Sequence, residues 1–353
     1  MIHAQLGVKQ PEIDSWDQLH WRAERDRIYQ TIKSWAKQNN IGLDTNSREF
    51  VNIDSLLKSP NEKIIYAQLF DPVPYFSMWK ELSNRCKNLG KKIFVITDNI
   101  IDFEPLENVR FFSKIEYLGV TASYGDQYLK DVEKKKLFNC FIQRVDSVRQ
   151  SWFYFLKNKN LLDLGHVSFL LKQMSTYAGS RVGVELYNHI HQEFQLYNLP
   201  HFEQAYQELK NQIPYRNFKE EHNLLPLISE SKYSLVLETC AVEDDIGLWC
   251  WTEKSLRDLQ FPVITLPFWQ KRSAEKLNNL GFDLPKYLWD FDNDPWQIRQ
   301  QKLLHLLEND SIIYNYSECL DRAVHNRSLL SAWKNTYQQS GFLDSVYEEI
   351  LST

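Results

Sequence analysis

The chain has 353 residues, of which 43% are hydrophobic and 25% are charged, and its formal net charge is -5. This composition is that of a globular protein, not a disordered one, and the length allows two domains with a core each. Because the chain is mildly acidic and its Lys and Arg residues are dispersed, we predict no nucleic-acid partner.

The compartment is predicted from the cysteines and from the amino-terminal stretch. The 5 cysteines are odd in number, widely spaced and form no C-x-x-C pair, which indicates small buried residues and a reducing environment. The amino-terminal residues form no apolar signal segment, and no window of 18 residues is apolar and uncharged. We therefore expect a cytoplasmic protein without a membrane segment, and the oligomeric state stays open.

The first part of the chain has the strand and helix rhythm of a parallel α/β domain. Residues 16–37 have helical spacing, residues 63–70 and 91–98 are apolar strand-like runs, and residues 75–88 between them favour a helix. Residues 108–112 predict a third strand. The charged run at residues 130–136 indicates a linker, so we place the first domain at residues 1–134.

The second domain opens with a strand at residues 137–145, which Asp146 or Ser147 caps to begin a helix through residue 156. Arg144 ends this strand, and Arg149 lies in the first helical turns. The N–H groups of such a helix favour an anion, and the guanidinium of an Arg can hold two phosphate oxygens. We interpret His166, which follows Gly165, as a structural hydrogen-bonding residue.

The most informative stretch is residues 232–268. Residues 233–239 predict a buried strand, an acidic loop follows, and Thr252 caps a helix that begins with Glu253 and Lys254. A second buried run at residues 261–266 completes a β-loop-α-β unit of a parallel sheet. Ligands of such units lie beyond the carboxyl ends of the strands, so Glu253 and Lys254 are placed to hold a phosphorylated ligand.

The order of strand, Glu238, variable loop, Thr252-Glu253-Lys254, helix and apolar strand resembles the donor-binding half of the α-1,3-fucosyltransferase family and related GT-B glycosyltransferases. The resemblance covers mainly residues 135–285. It implies an α/β fold of GT-B type, in which two Rossmann-like domains face each other across a cleft. The second domain is then residues 135–320, and helices at residues 321–353 are expected to pack back on the first domain.

The resemblance also implies roles for individual residues. In the family, a Glu-Lys pair in this context binds the nucleotide sugar, and an Arg at the end of the opening strand contacts its phosphates. Arg144 matches that Arg, with Gln143 where many relatives have Asn. The implied donor is a nucleotide sugar, with GDP-fucose favoured, although the loop after Glu238 differs in length and content from the family. The expected donor-binding residues are Arg144, Ser147, Glu238, Thr252, Glu253 and Lys254.

The reaction implied is transfer of the sugar to a hydroxyl of a glycan acceptor, with inversion and without a metal. A carboxylate of the first domain would deprotonate the acceptor. The candidates for this base are Asp98, Glu116, Asp126 and Asp71. Asp290, Asp292 and Asp294 have the spacing of a metal-binding D-x-D motif, but they precede Pro295 and a helix, so we interpret them as a capping loop.

Two other classes are weighed against the glycosyltransferase. One is a non-catalytic α/β protein that binds a nucleotide or a carbohydrate, such as a degenerate GT-B partner subunit, and it remains the alternative. The other is a sugar-nucleotide epimerase, which needs a G-x-G-x-x-G turn early in its fold. With 11 glycines and no such turn, the chain argues against it.

Overall fold

The fold is α/β, with parallel sheets and helices in a Rossmann-like arrangement, as predicted. It comes from a computed structural model that describes residues 18–44, 56–68, 76–114, 129–144, 147–172, 224–238, 241, 247–338 and 343–353. The strands are β1 (Gly42–Asp44), β2 (Lys63–Gln68), β3 (Lys92–Thr97), β4 (Ile100–Ile101), β5 (Val109–Ser113), β6 (Lys136–Arg144), β7 (Gly165–Lys172), β8 (Ser231–Leu237), β9 (Leu248–Trp249) and β10 (Ile264–Phe268). The helices are α1 (Gln18–Gln38), α2 (Phe76–Leu89), α3 (Ser147–Asn158), α4 (Leu224–Ser229), α5 (Glu253–Asp258), α6 (Ser273–Asn279), α7 (Trp296–Glu308), α8 (Tyr316–Gln338) and α9 (Asp344–Ser352).

The first sheet has the order β1-β2-β3-β5, and all of its neighbouring strands are parallel. Side chains alternate between its two faces along each strand. Ile65 and Phe94 belong to the buried cluster that includes α1, whereas Ile64 and Ile93 belong to the cluster with Trp79 of α2. Because both faces are covered, the strands are almost continuously apolar, which is why they are recognisable in the sequence.

The second sheet has the order β10-β8-β6-β7 and is also parallel throughout. One face carries Phe138, Tyr233, Leu235 and Leu266 in the largest buried cluster. A smaller cluster joins α4 to Phe261 and to the partly buried side chain of Phe141. The helices that follow β6 and β8, α3 and α5, therefore start at the carboxyl edge of this sheet, where the candidate site lies.

Most of the predicted elements are confirmed, with small shifts at their ends. The last strand of the second sheet begins at Ile264, later than predicted, because Pro262 has no N–H for the ladder. Gly281 follows α6 with a φ of +95° and donates its N–H to the Asn278 carbonyl, so it ends this helix in the left-handed conformation that glycine favours. None of the helices in the described ranges combines the length and apolar character needed to cross a bilayer.

The last two helices belong to different cores. Residues of α8, including Cys319 and Leu330, are buried in the cluster of the second sheet. In α9, Val346 and Ile350 are buried in the cluster of α1 and the first sheet, and Tyr347 stacks on Trp35 with the ring centroids 3.9 Å apart. The final helix is therefore part of the first core.

Candidate functional site

The residues predicted to bind the donor come together at the carboxyl edge of the second sheet. Strands β6 and β8 are neighbours, and Arg144 ends β6 while Glu238 follows β8. The two helices that leave this edge begin at Ser147 and Glu253. The backbone of Arg144, Ser147 and Glu253 is described but their side chains are not, so the geometry rests on Glu238, Thr252 and Lys254.

Glu238 is the centre of this edge, because its carboxylate binds the start of α5. The Thr252 N–H donates to Oε1 at 3.0 Å, and the Thr252 hydroxyl lies 2.9 Å from Oε2. The Ser255 N–H donates to Oε1 at 3.3 Å. The side chain is only 2% exposed. Glu238 therefore acts as a buried anion at the helix start, where the helix dipole favours negative charge.

Thr252 is the N-cap of α5, as the sequence predicted. Its backbone is extended, with a φ of -107° and a ψ of 173°, and its hydroxyl accepts the Lys254 N–H at 3.3 Å. The N–H groups of Lys254 and Ser255 are thus bound within the protein, by Thr252 and Glu238. The half-buried Lys254 side chain is then the charged group through which α5 can attract an anion.

A second cation at this edge, Arg149, was placed by the sequence only in the first turns of α3. Its side chain is 4% exposed, and its guanidinium donates to the carbonyl of Leu237 at 3.3 Å, beside the end of β8. The sequence does contain a signal for this. Arg149, Trp152, Phe153 and Leu156 follow helical i, i+3, i+4, i+7 spacing, so a charge stands within the buried stripe of the helix.

Of the predicted catalytic carboxylates, only Asp98 lies within the described residues. It follows β3 and is 2% exposed, and one of its oxygens accepts the side-chain amide of Asn99 at 3.0 Å. Glu116, Asp126 and the further candidate Asp71 lie outside the described residues. The described part of the first sheet thus offers a buried acid at its carboxyl edge.

The carboxyl edges of the two sheets are joined by the antiparallel pair β4 and β9. Ile100 pairs with Trp249, and the Asp102 N–H donates to the Gly247 carbonyl at 2.7 Å. Gln270, which follows β10, accepts the Cys250 N–H and donates to the Leu248 carbonyl. The segment that leads to Thr252 is therefore fixed to both sheets before α5 begins.

The aspartates at 290–294 do not act as a simple cap of the helix that follows them. The carboxylate of Asp292 accepts the N–H groups of Ala274 and Glu275, at 2.9 and 3.0 Å, and so caps α6 from a distance. Burial raises the pKa of Asp292, and these two hydrogen bonds oppose the rise. The prediction that this loop caps the helix after Pro295 is wrong, because α7 begins without a side-chain cap, and Asp292 caps α6 instead.

The described residues contain no cluster of three or more His, Cys, Asp or Glu side chains that could hold a metal ion. The four described cysteines, Cys86, Cys140, Cys250 and Cys319, are free and buried. Comparisons of the chain with protein-family models, with curated proteins and with solved structures found no match.

Proposed function

We propose that the chain is a GT-B glycosyltransferase, with a nucleotide sugar bound at the carboxyl edge of the second sheet. The observation that supports this is the start of α5, where Glu238 and Thr252 bind the main chain so that Lys254 is fixed in the first turn. A helix start whose main chain is already fixed at a strand edge suits a diphosphate site, because the main chain that carries Lys254 need not rearrange when the ligand binds. In this proposal residues 1–134 and 135–320 form the facing domains.

The donor would be bound by charge and by hydrogen bonds. Lys254 and Arg144 would contact the two phosphates, and Ser147 and the start of α3 would add neutral donors. The Glu253 carboxylate would accept hydroxyls of the sugar or the ribose. GDP-fucose is the favoured donor, and a glycan hydroxyl is the acceptor. Buried Arg149 would add positive potential beneath the same edge.

The reaction would be a direct displacement at the anomeric carbon. A carboxylate of the first domain, Glu116, Asp126 or Asp98, takes the proton of the acceptor hydroxyl. The acceptor oxygen then bonds to the anomeric carbon as the bond from that carbon to the phosphate oxygen breaks, and the configuration inverts. Lys254 and Arg144 stabilise the charge of the departing nucleoside diphosphate, so the proposal requires no metal.

One observation favours the alternative, a non-catalytic protein that binds a nucleotide or a carbohydrate. Asp98 is 2% exposed and is hydrogen-bonded to Asn99. A general base must come within hydrogen-bond distance of the hydroxyl that it deprotonates, so Asp98 would have to become exposed to act. A binding protein needs no such change.

The first experiment is calorimetric binding of GDP, UDP, CMP and dTDP without metal. We expect wild type to bind one of them, and we expect Lys254→Ala to weaken that binding at least about tenfold, as loss of a charged phosphate contact does. Lys286→Ala removes an exposed lysine elsewhere in the same half of the chain and is the matched control. Absence of binding to all four nucleotides, with and without Mg²⁺, would refute the proposal.

Turnover separates the two candidate functions. Release of the nucleoside diphosphate from its sugar conjugate, in the presence of a glycan acceptor, supports the transferase. Tight nucleotide binding without any release, across an acceptor panel, favours the binding protein. Variants Glu116→Gln and Asp126→Asn test the base, because loss of the true base lowers kcat by about 10²–10⁴-fold without abolishing donor binding.

A further inference from the structure

A row of polar residues crosses the second sheet. The strand register aligns Asn139 of β6 with His166 of β7 on one side and with Ser234 of β8 on the other, and Ser234 with Thr265 of β10. The adjacent row contains Phe138, Tyr233 and Ile264, all buried and apolar. Asn139, Ser234 and Thr265 are 1%, 0% and 4% exposed. Burying this much polar surface is costly unless each group is hydrogen-bonded.

The partner of this row is the last residue of α5. The Ser234 hydroxyl donates to the carboxylate of Asp258, and the side-chain oxygen of Asn139 lies 2.9 Å from the same hydroxyl. The Thr265 hydroxyl donates to the main-chain carbonyl of Asp258 at 3.3 Å. Asp258 is 1% exposed and also accepts from the Arg257 guanidinium. The row therefore binds α5 through directional contacts from two strands, β8 and β10, while Asn139 of β6 contacts Ser234.

Helix α5 is thus fixed to β8 at both ends, by Glu238 at its start and by Asp258 at its end. With 6 residues it is far too short to be stable alone, so its orientation comes from these contacts. Lys254 precedes Asp258 by one turn, and residues four apart share a face of a helix. Asp258 lies at the far end of α5, whereas Lys254 lies in the turn next to the carboxyl edge of the sheet. The face that the two residues share therefore places Lys254 at that edge.

We propose that Asp258, held by Ser234 and Thr265, is a positioning residue for Lys254, and that the polar row sets the rotation at which α5 presents the Lys254 ammonium. An apolar contact would pack equally well over a range of rotations, whereas hydrogen bonds select one. The inference rests on the proposed function, in which Lys254 binds a diphosphate. Asp258 itself does not contact the ligand.

A double-mutant cycle tests the proposal, with the Kd of the nucleotide that wild type binds best among GDP, UDP, CMP and dTDP as the readout. Ser234→Ala should weaken binding about fivefold in the wild-type background and less than about twofold in the Lys254→Ala background. Ser231→Ala is the matched control, because this buried hydroxyl of the same strand donates to Leu227 instead of α5. Its Kd should equal that of wild type. An equal effect of Ser234→Ala in both backgrounds, or no effect in either, overturns the proposal.

A second readout needs no nucleotide. The rate at which an N-hydroxysuccinimide ester acylates Lys254 is measured by peptide mass spectrometry, relative to exposed Lys286. Asp258→Asn and Ser234→Ala should change this ratio about twofold or more, whereas Ser231→Ala should not. An unchanged ratio overturns the positioning role even if nucleotides bind. A changed ratio in a protein that binds no nucleotide supports the positioning role and refutes the proposed function.

Discussion

Single carboxylates organise the helix starts of the second half of the chain. Glu238 binds the start of α5, and Asp292 binds the start of α6, each by accepting two main-chain N–H groups. Both helices are short, with 6 and 7 residues. At the residue scale, a buried acid replaces the water or the ligand that would otherwise satisfy these donors.

Replacement of Glu238 should therefore be costly to stability. Glu238→Ala leaves the N–H groups of Thr252 and Ser255 without an acceptor in a buried site, so we expect the free energy of unfolding to fall by about 2–4 kcal/mol. Glu238→Gln keeps one acceptor oxygen and should lose about 1–2 kcal/mol. Urea denaturation measures both. A Glu238→Ala variant within about 0.5 kcal/mol of wild type would show that the carboxylate is not needed there.

Lys134 offers a second test at the residue scale. Its ammonium donates to the carbonyl of Ser229 at 2.7 Å and lies over the ring of Tyr314, 4.8 Å from the centroid. Burial lowers the pKa of Lys134 from its ordinary 10.5 to about 8, and the Asp131 charge opposes part of this shift. Between these two pH values the unfolded chain binds more protons than the folded one. Stability from this group therefore rises with pH over that interval.

When the pH rises from about 7.5 to about 9.5, we expect the free energy of unfolding of wild type to increase by on the order of 1 kcal/mol relative to that of Lys134→Met. Urea denaturation at the two pH values gives the comparison. The neighbouring Lys135→Met is the control, since hydrogen bonding to Glu230 raises the pKa of Lys135 instead. Identical pH dependence in wild type and Lys134→Met would contradict the lowered pKa.

At the scale of elements, the sequence pattern is sufficient to predict a contact when the two partners are close in sequence. The Thr252 cap could be predicted because the donor lies two residues away, at Lys254. The partners of Glu238 and Asp292 lie 14 to 18 residues away, so no local pattern contains them. The polar row has the same origin, because Asn139 and Ser234 are far apart in sequence and meet only through the strand register.

The antiparallel pair of β4 and β9 can be tested by substitution of Gly247, which directly precedes β9. Gly247 has a φ of +68°, and a Cβ there would lie 2.9 Å from the Asp102 carbonyl oxygen. Gly90 has a similar φ of +63° with nothing within 4 Å of the same position. Strain at φ alone should cost Gly90→Ala about 1 kcal/mol. The added clash should raise the cost of Gly247→Ala to about 2–3 kcal/mol.

Thermal and urea unfolding of the two variants, measured side by side, separate the cost of the clash with the Asp102 carbonyl from the cost of backbone strain at a positive φ. Because both positions share a positive φ, the difference between the variants reports the contact between residues 102 and 247. Equal losses of stability would mean that the two segments separate without cost. Such a result would also weaken the view that the segment before Thr252 is fixed to both sheets.

At the scale of the whole molecule, the first core is built from segments at both ends of the described chain, and the second core lies between them in sequence. Helix α8 is buried in the second core, whereas α9 is buried in the first. Cations at the amino ends of the first sheet bind the end of α9. The Lys63 ammonium donates to the carbonyls of Ile350 and Leu351, at 2.9 and 3.1 Å, and Lys92 donates to Thr353 at 2.9 Å. Positive charge is favourable at this end of a helix.

Two adjacent residues of α9 measure how much the first core depends on this helix. Ile350 is 0% exposed, whereas Leu351 is 52% exposed. Truncation of a buried Ile to Ala loses burial and leaves a cavity, so we expect Ile350→Ala to cost about 2–4 kcal/mol and Leu351→Ala less than about 0.5 kcal/mol. Tyr347 of α9 stacks on Trp35 of α1, so unfolding followed by tryptophan fluorescence reports on this contact and can be compared with unfolding followed by circular dichroism. If α9 is an integral part of the first core, Ile350→Ala lowers the midpoints of the fluorescence and circular dichroism transitions by the same amount. If Ile350→Ala lowers the free energy of unfolding no more than Leu351→Ala does, the packing of α9 does not contribute to the stability of the first core, and that core must be stable without this helix.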